Sequence, residues 1–258
     1  MRRRRIVLAG SVAVAALAAA AVEAVVRTGL VKAEYFPAPT TVVADLAALL
    51  TRAETWGAIR LTLQGWAVGM LIAIALGVCL GTLIGLNPYA DRASRVLVEF
   101  LRPVPAVALI PLAILVFGSG FGSKVFLAAF GAVWPILIQS IYGARDLDSA
   151  QRDTMTVFRL RPVDRLLSVR AWNAMPSIAT GVRIAAGTAL VLVVSAELII
   201  GSPGMGREVV TAQYALRPER MYAWILAIGL LGWGLNSGLF AIERRALRWH
   251  PSYRAAQS

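Results

Sequence analysis

The sequence predicts an all-α integral membrane protein, with about six transmembrane helices and one charged cytoplasmic loop between the fourth and fifth. Three observations carry this. Of the 258 residues, 58% are hydrophobic and only 16% charged, against about 25% charged in ordinary globular chains. Apolar runs of about 20 residues recur, the length that crosses a hydrocarbon core of roughly 30 Å at about 1.5 Å per helical residue. Between two such runs lie the 29 residues ARDLDSAQRDTMTVFRLRPVDRLLSVRAW (144–172), ten of them Asp or Arg, a segment that cannot share the lipid with its neighbours.

The spans fall roughly at 6–26, 61–86, 104–118, 124–142, 177–200 and 221–242. MRRRR followed by IVLAGSVAVAALAAAAVEA also has the basic start and apolar run of a secretory signal. The apolar stretch continues to about Val26, longer than a usual signal core, so it is read as an uncleaved first span. Between the first two spans, Pro37 and Pro39 force an extended entry. Thr40 or Thr41 then caps a short helix through Leu50, with Val42, Leu46 and Leu49 on one face. The third span is short and carries Pro105 and Pro111, which predicts a broken or tilted helix. Gly77, Gly81 and Gly85 repeat at i+4 and read as a close-packing stripe, with the subunit interface as one candidate partner.

The net charge of +12 matters through its distribution, and nucleic acid is not an expected partner. Basic residues are kept on the cytoplasmic side. With the N-terminus inside, the inner segments hold seventeen Lys and Arg and the outer segments eight, which favours both termini inside and a cytoplasmic 144–172. The chain divides into a basic terminus 1–5, a membrane domain 6–242 that includes the loop 144–176, and a cytoplasmic tail 243–258.

The charged segment reads as a helical bracket. Residues 148–160 form one helix with Gln151, Met155 and Phe158 on one face and Arg152, Asp153 and Arg159 turned to solvent. Arg161-Pro162 breaks it. Val163, Leu166, Leu167, Ala171 and Ala174 form a second stripe. Such a bracket suits docking against another protein, the alternative being an amphipathic loop on the membrane surface.

Enzymatic chemistry and metal binding find little support. The single Cys79 lies in an apolar run and the single His250 in the polar tail, so neither a disulfide within the chain nor a Cys/His metal site is expected. GSGFGSK (118–124) has the flavour of a phosphate-binding loop, but Ser123 stands between the last Gly and Lys124, and the segment maps to an outer loop. A stand-alone secondary transporter or channel is the alternative function. It is disfavoured because the middles of the spans are nearly free of ionisable groups.

Within the spans, Glu197 is the carboxylate to explain. A charge at a span centre costs about 2.5–3.5 kcal/mol on insertion scales, so it must line a path or pair with a basic residue of a neighbouring helix. Ser195 lies beside it. Trp134, Gln139 and Ser140 give the fourth span a polar edge, either path lining or hydrogen bonds between helices. Arg183, near the inner end of its span, is read as snorkelling to the interface. GSPGMG (201–206) opens the last outer loop.

The segments FPAPTTVVADLAALL, LRPVPAVALIPLAILVFGSG, GAVWPILIQSIYGARDLD, PSIATGVRIAAG, AELIIGSPGMG and LFAIERRALRW together resemble the membrane-spanning permeases of ATP-binding-cassette importers. The group resembled is the binding-protein-dependent one that serves nitrate, aliphatic sulfonates and taurine. The resemblance implies a type I importer permease and a multi-pass protein of the bacterial inner (plasma) membrane. It implies that this chain binds no cofactor, ATP and Mg²⁺ being held by separate ATPase subunits. It also implies an extracytoplasmic solute-binding protein, for which Gly204, Met205 and Gly206 are candidate contacts, and a small anionic solute. The bracket becomes a coupling loop gripped by the ATPase through Arg152, Asp153, Thr154, Met155, Phe158 and Arg159. The path candidates are Trp134, Gln139, Ser140, Ser195 and Glu197. The family's coupling motif reads Glu-Ala-Ala, a Gly three residues later, then Leu-Pro. Here these positions are Asp153-Thr154-Met155, Arg159 and Ala171-Trp172. Arg does not favour the positive φ that Gly permits. A second permease, either another copy or a distinct chain with a more standard motif, would complete the assembly.

Overall fold

The computed structural model describes residues 2–32, 34–146, 151, 153, 155, 157–158 and 171–248, and among these all regular structure is helical. Helix α1 (Arg2–Arg27) occupies the first predicted span. Helix α2 (Pro39–Leu50) has Ala38 at its N-cap, not Thr40 or Thr41, because it starts on a proline whose fixed φ suits a first turn, and of the residues read onto one face it buries Leu46 and Leu49. Glu23 of α1 accepts hydrogen bonds from the Thr40 backbone N–H (3.1 Å) and hydroxyl (2.8 Å), tying the two helices together.

Helix α3 (Ala53–Leu86) has 34 residues and begins earlier than the predicted 61. Helix α4 (Pro88–Leu101) lies in a stretch read from the sequence as a simple inner connection. The Asn87 side chain caps it by accepting from the N–H groups of Tyr89 (2.9 Å) and Ala90 (3.3 Å), the preferred solution for orphan donors at a helix start. No residue of α4 is buried. Its charged and apolar faces have the pattern of a helix lying along a membrane surface.

The predicted third span is broken. A 3₁₀ turn (Ala106–Leu109) and the eight-residue helix α5 (Ile110–Phe117) meet α4 at an 82° bend. The cause is the Pro103, Pro105 and Pro111 series, which removes N–H donors and clashes with the preceding turn. At about 1.5 Å per residue, α5 alone cannot cross a bilayer.

Helices α6 (Phe121–Arg145), α7 (Ala171–Ile200), α8 (Met205–Tyr214) and α9 (Pro218–Ala246) complete the order. The predicted second stripe of the bracket therefore ends inside α7, which runs through Pro176 without a break. Among the described residues four helices, α3, α6, α7 and α9, are long and apolar enough to cross a membrane. A fifth span results if α4 and 106–117 act as one bent span.

The core sits where α3, α6 and α7 pack together. Ala73, Ala128, Ala132, Ile136, Ala185, Ala189 and Val193 are all buried there. Small residues permit this closeness. A Cβ added at Gly77, Gly81 or Gly85 would lie 2.8 Å from Ile136 Cγ2, 2.5 Å from the Leu137 carbonyl oxygen and 2.8 Å from Ala144 Cβ, respectively. The glycine stripe thus packs α3 on α6 of the same chain and does not form a subunit interface. Trp66 fixes the third side by donating from Nε1 to the Ala186 carbonyl at 2.9 Å. A second cluster joins α2, α8 and α9 through Leu46, Leu49, Met205, Val209 and Trp224.

Candidate functional site

Two adjoining cavities and one buried polar cluster hold the candidates Trp134, Gln139, Glu197, Gly204, Met205 and Gly206. The first cavity, about 740 Å³, opens at the end of the bundle where α6 finishes and is walled by α4 and α6. The second, about 400 Å³, is a groove bounded by the broken segment, α6 and α7, with Trp134, Gln139 and Thr188 in its wall. Arg102 and Ile138 line both. The Trp134 ring stands edge-on to Phe130, centroids 5.7 Å apart, and its Nε1–H is closed off from solvent with no hydrogen-bond partner. Thr188 donates its hydroxyl proton to the Ile184 carbonyl at 3.3 Å, leaving its lone pairs for other contacts.

Of the polar edge predicted on the fourth span, Trp134 and Gln139 belong to the groove and Ser140 does not. Ser140 is fully buried on the α3 side, where a Cβ on Gly81 would come 2.6 Å from its own. Ser195 is half-buried and outside the groove's lining.

Glu197 is paired. Its carboxylate, wholly buried, takes a salt bridge from Lys124 Nζ at 2.9 Å, the Thr62 hydroxyl at 2.9 Å and the Gly206 N–H at 3.0 Å. Lys124 also donates to the carbonyls of Leu61 (3.0 Å) and Pro203 (2.9 Å), and the Thr62 oxygen accepts from the Met205 N–H at 2.9 Å. Every donor and acceptor has a partner, which a charge pair removed from water requires. Lys124, counted from the sequence with the outer segments, is in fact 1% exposed on the inner face of α6. Its signal lay in the sequence: an opposite charge at a similar depth in a neighbouring span. Nothing in the sequence pointed to Thr62.

Gly204, Met205 and Gly206 are buried by the same cluster. Gly204 has φ +156° and sits so close to Glu197 that an added Cβ would lie 1.9 Å from Oε1. As they stand, these three close the turn from inside and present no surface to a partner. Beside them, Tyr214 and Leu216 are exposed, and Leu216 adopts φ 54°. The GSGFGSK stretch is likewise a structural turn. The Ser123 hydroxyl bonds to the carbonyls of Ala113 (2.8 Å) and Gly118, pinning α5 to α6.

At the opposite end, Arg145 and Arg95 both reach Asp91, Arg95 at 3.3 Å, and the hydrogen bond from Arg145 holds the Asp91 carboxyl below its ordinary range. Arg183 is 3.6 Å from Glu243 of α9 and lies over the Phe240 ring. It is held across to a neighbouring helix and does not simply snorkel. In the bracket, Arg152, Thr154 and Arg159 lie outside the described residues. Asp153 and Met155 are helical, Asp153 exposed and Met155 buried, while Val157 and Phe158 are exposed.

The family described as binding-protein-dependent transport system inner membrane component matches residues 69–248. The chain belongs to this family. As a permease it is 30% identical to the putative aliphatic sulfonates transport permease SsuC of Bacillus subtilis, over 87% of this chain and 82% of that one. It is 30% identical to the nitrate import permease NrtB of Leptolyngbya laminosa (73% and 68%) and 29% identical to the taurine permease TauC of Escherichia coli (77% and 72%). The permease's fold matches a chain of the MetNI methionine ABC transporter in an inward-facing conformation, with TM-score 0.65 and 17% identity over 76% of this chain and 95% of that one. The permease is therefore an all-helical transport component of type I importer fold.

Proposed function

We propose that the permease forms one half of the path through which an ATP-driven importer moves a small solute with an oxyanion head, of the nitrate, sulfonate or taurine type. The observation that carries this is its likeness to permeases named for all three solutes. The groove bounded by the broken segment, α6 and α7 supplies the half-path, with Gln139 and Arg102 in its wall. A second permease, a copy or a distinct chain, closes it. The chain sits in the inner membrane with both termini cytoplasmic, an orientation supported by the excess of basic residues in the inner segments. ATP and Mg²⁺ belong to separate ATPase subunits, and a solute-binding protein delivers solute outside.

The bracket between α6 and α7 is the coupling element. Support comes from the exposed apolar pair Val157 and Phe158 beside exposed Asp153, with Met155 buried beneath them. ATPase closure pushes the bracket, and the packed helices switch between two arrangements. The test is uptake of radiolabelled taurine, methanesulfonate and nitrate into proteoliposomes holding the permease, its ATPase and its binding protein. Uptake that requires both ATP and the binding protein is the expected result. Uptake by the permease alone, without nucleotide, overturns the reading in favour of a stand-alone carrier.

A further inference from the structure

We propose that Arg102 is the residue that receives the oxyanion head of the solute at the inner end of the groove and sets the path's preference for it. This rests on the reading of the solute as an oxyanion and assigns that preference to one side chain.

Arg102 stands at the one place where the two cavities share a cation. The other cations of the cavity walls are engaged: Arg95 and Arg145 both bind Asp91. Beyond the walls, Lys124 is locked to Glu197 and Arg183 to Glu243. Among the described residues, the Arg102 side chain has neither an ion pair nor a hydrogen bond. Glu99 lines the wider cavity only, so no carboxylate of the groove wall opposes the guanidinium.

Its position is fixed by covalent geometry. Arg102 caps α4, its N–H on the Val98 carbonyl at 3.0 Å. Pro103 follows at once, and Pro105 precedes the 3₁₀ turn, so the 82° bend presents the side chain at the groove mouth with little backbone freedom.

A guanidinium offers a planar fork of donors that matches the paired oxygens of a sulfonate or nitrate. Beyond it the groove wall holds the half-buried Gln139, whose amide adds N–H donors at the next position. One exposed cation, screened by water, binds weakly. That is what a path requires, since a solute held tightly does not leave.

The test uses the complete importer, assembled with its ATPase and binding protein in proteoliposomes, in a background where exposed Cys79 is replaced by Ser. The probes are taurine, methanesulfonate, nitrate and an uncharged aminopyrimidine. R102Q is expected to lower oxyanion uptake about fivefold, the upper range for one water-screened ion contact, and R102K, which keeps the charge and loses the planar fork, to fall between R102Q and wild type. R102C is treated after assembly, so the result does not depend on folding. A cationic methanethiosulfonate reagent is expected to restore uptake and an anionic one to leave it low. Oxyanion uptake by R102Q equal to wild type, or equal rescue by both reagents, overturns the role of Arg102 and leaves the oxyanion importer standing. Wild-type importer that takes up the aminopyrimidine and none of the oxyanions overturns the oxyanion reading itself.

Discussion

At the scale of single residues, the Glu197–Lys124 pair shows how a charge is tolerated in an apolar bundle. Removing one partner leaves the other buried without compensation, at a cost of about 3–5 kcal/mol. Glu197→Gln and Lys124→Met are therefore each expected to lower the melting temperature of the detergent-solubilised permease sharply. The double variant is expected to recover part of the loss, since it buries no uncompensated charge. Equal melting temperatures for wild type and either single variant would show that the pair contributes nothing. The same carboxylate explains Gly204: in Gly204→Ala the new methyl falls 1.9 Å from Glu197 Oε1, so the turn 201–206 must open. That variant should melt lower too, whereas Gly201→Asn, where nothing lies within 4 Å and Asn tolerates positive φ, should stay close to wild type. The cost of a buried carboxylate made Glu197 visible in the sequence. Its partner was visible only as a charge at the edge of a span, because a sequence gives depth along a helix and not which helix faces which.

At the scale of elements, periodicity and length decided most of what could be read. The apolar runs became α3, α6, α7 and α9 because a helix is the way a single segment satisfies its backbone in lipid. Pro105 and Pro111 announced the broken span for the same reason, inverted. What stayed hidden depended on tertiary partners. The glycine repeat at 77, 81 and 85 says that something comes close, and the structure shows that it is α6. Helix α4 was missed because its apolar positions are interleaved with Asp91, Arg92, Arg95 and Glu99, a surface pattern that a search for apolar runs passes over. The packing of α3 on α6 yields a direct test. Gly81→Val would push against a backbone carbonyl at 2.5 Å, which cannot rotate away, so the helices must part. The loss should be at least the about 1–3 kcal/mol of an overpacked core. Gly229→Ala, with nothing within 4 Å, should be neutral. The check is the fraction of each variant that remains monodisperse on heating in detergent.

At the scale of the whole molecule, two regions with different chemistry sit at opposite ends of the α3–α6–α7 core. At one end the Lys124–Glu197–Thr62 cluster ties α3, α6, α7 and the 201–206 turn into a unit. At the other, α6 and α7 converge on the bracket, with Val157 and Phe158 exposed. On the proposed coupling, force applied to the bracket would pass along helices whose far ends are cross-linked, so that the bundle would turn as a body and the groove beside α6 and α7 would change its opening. This makes the bracket the point where separation from the motor should abolish transport without unfolding the permease. Phe158→Asp replaces an exposed ring with a charge, and Asp153→Lys reverses an exposed charge. Neither side chain is buried, so melting temperature should stay near wild type while the ATPase no longer co-purifies and solute-stimulated ATP hydrolysis is lost. Met155→Ala, by contrast, empties a buried site and should lower stability first. Retained co-purification in both Phe158→Asp and Asp153→Lys would place the bracket on the membrane surface and require the motor to grip the permease elsewhere.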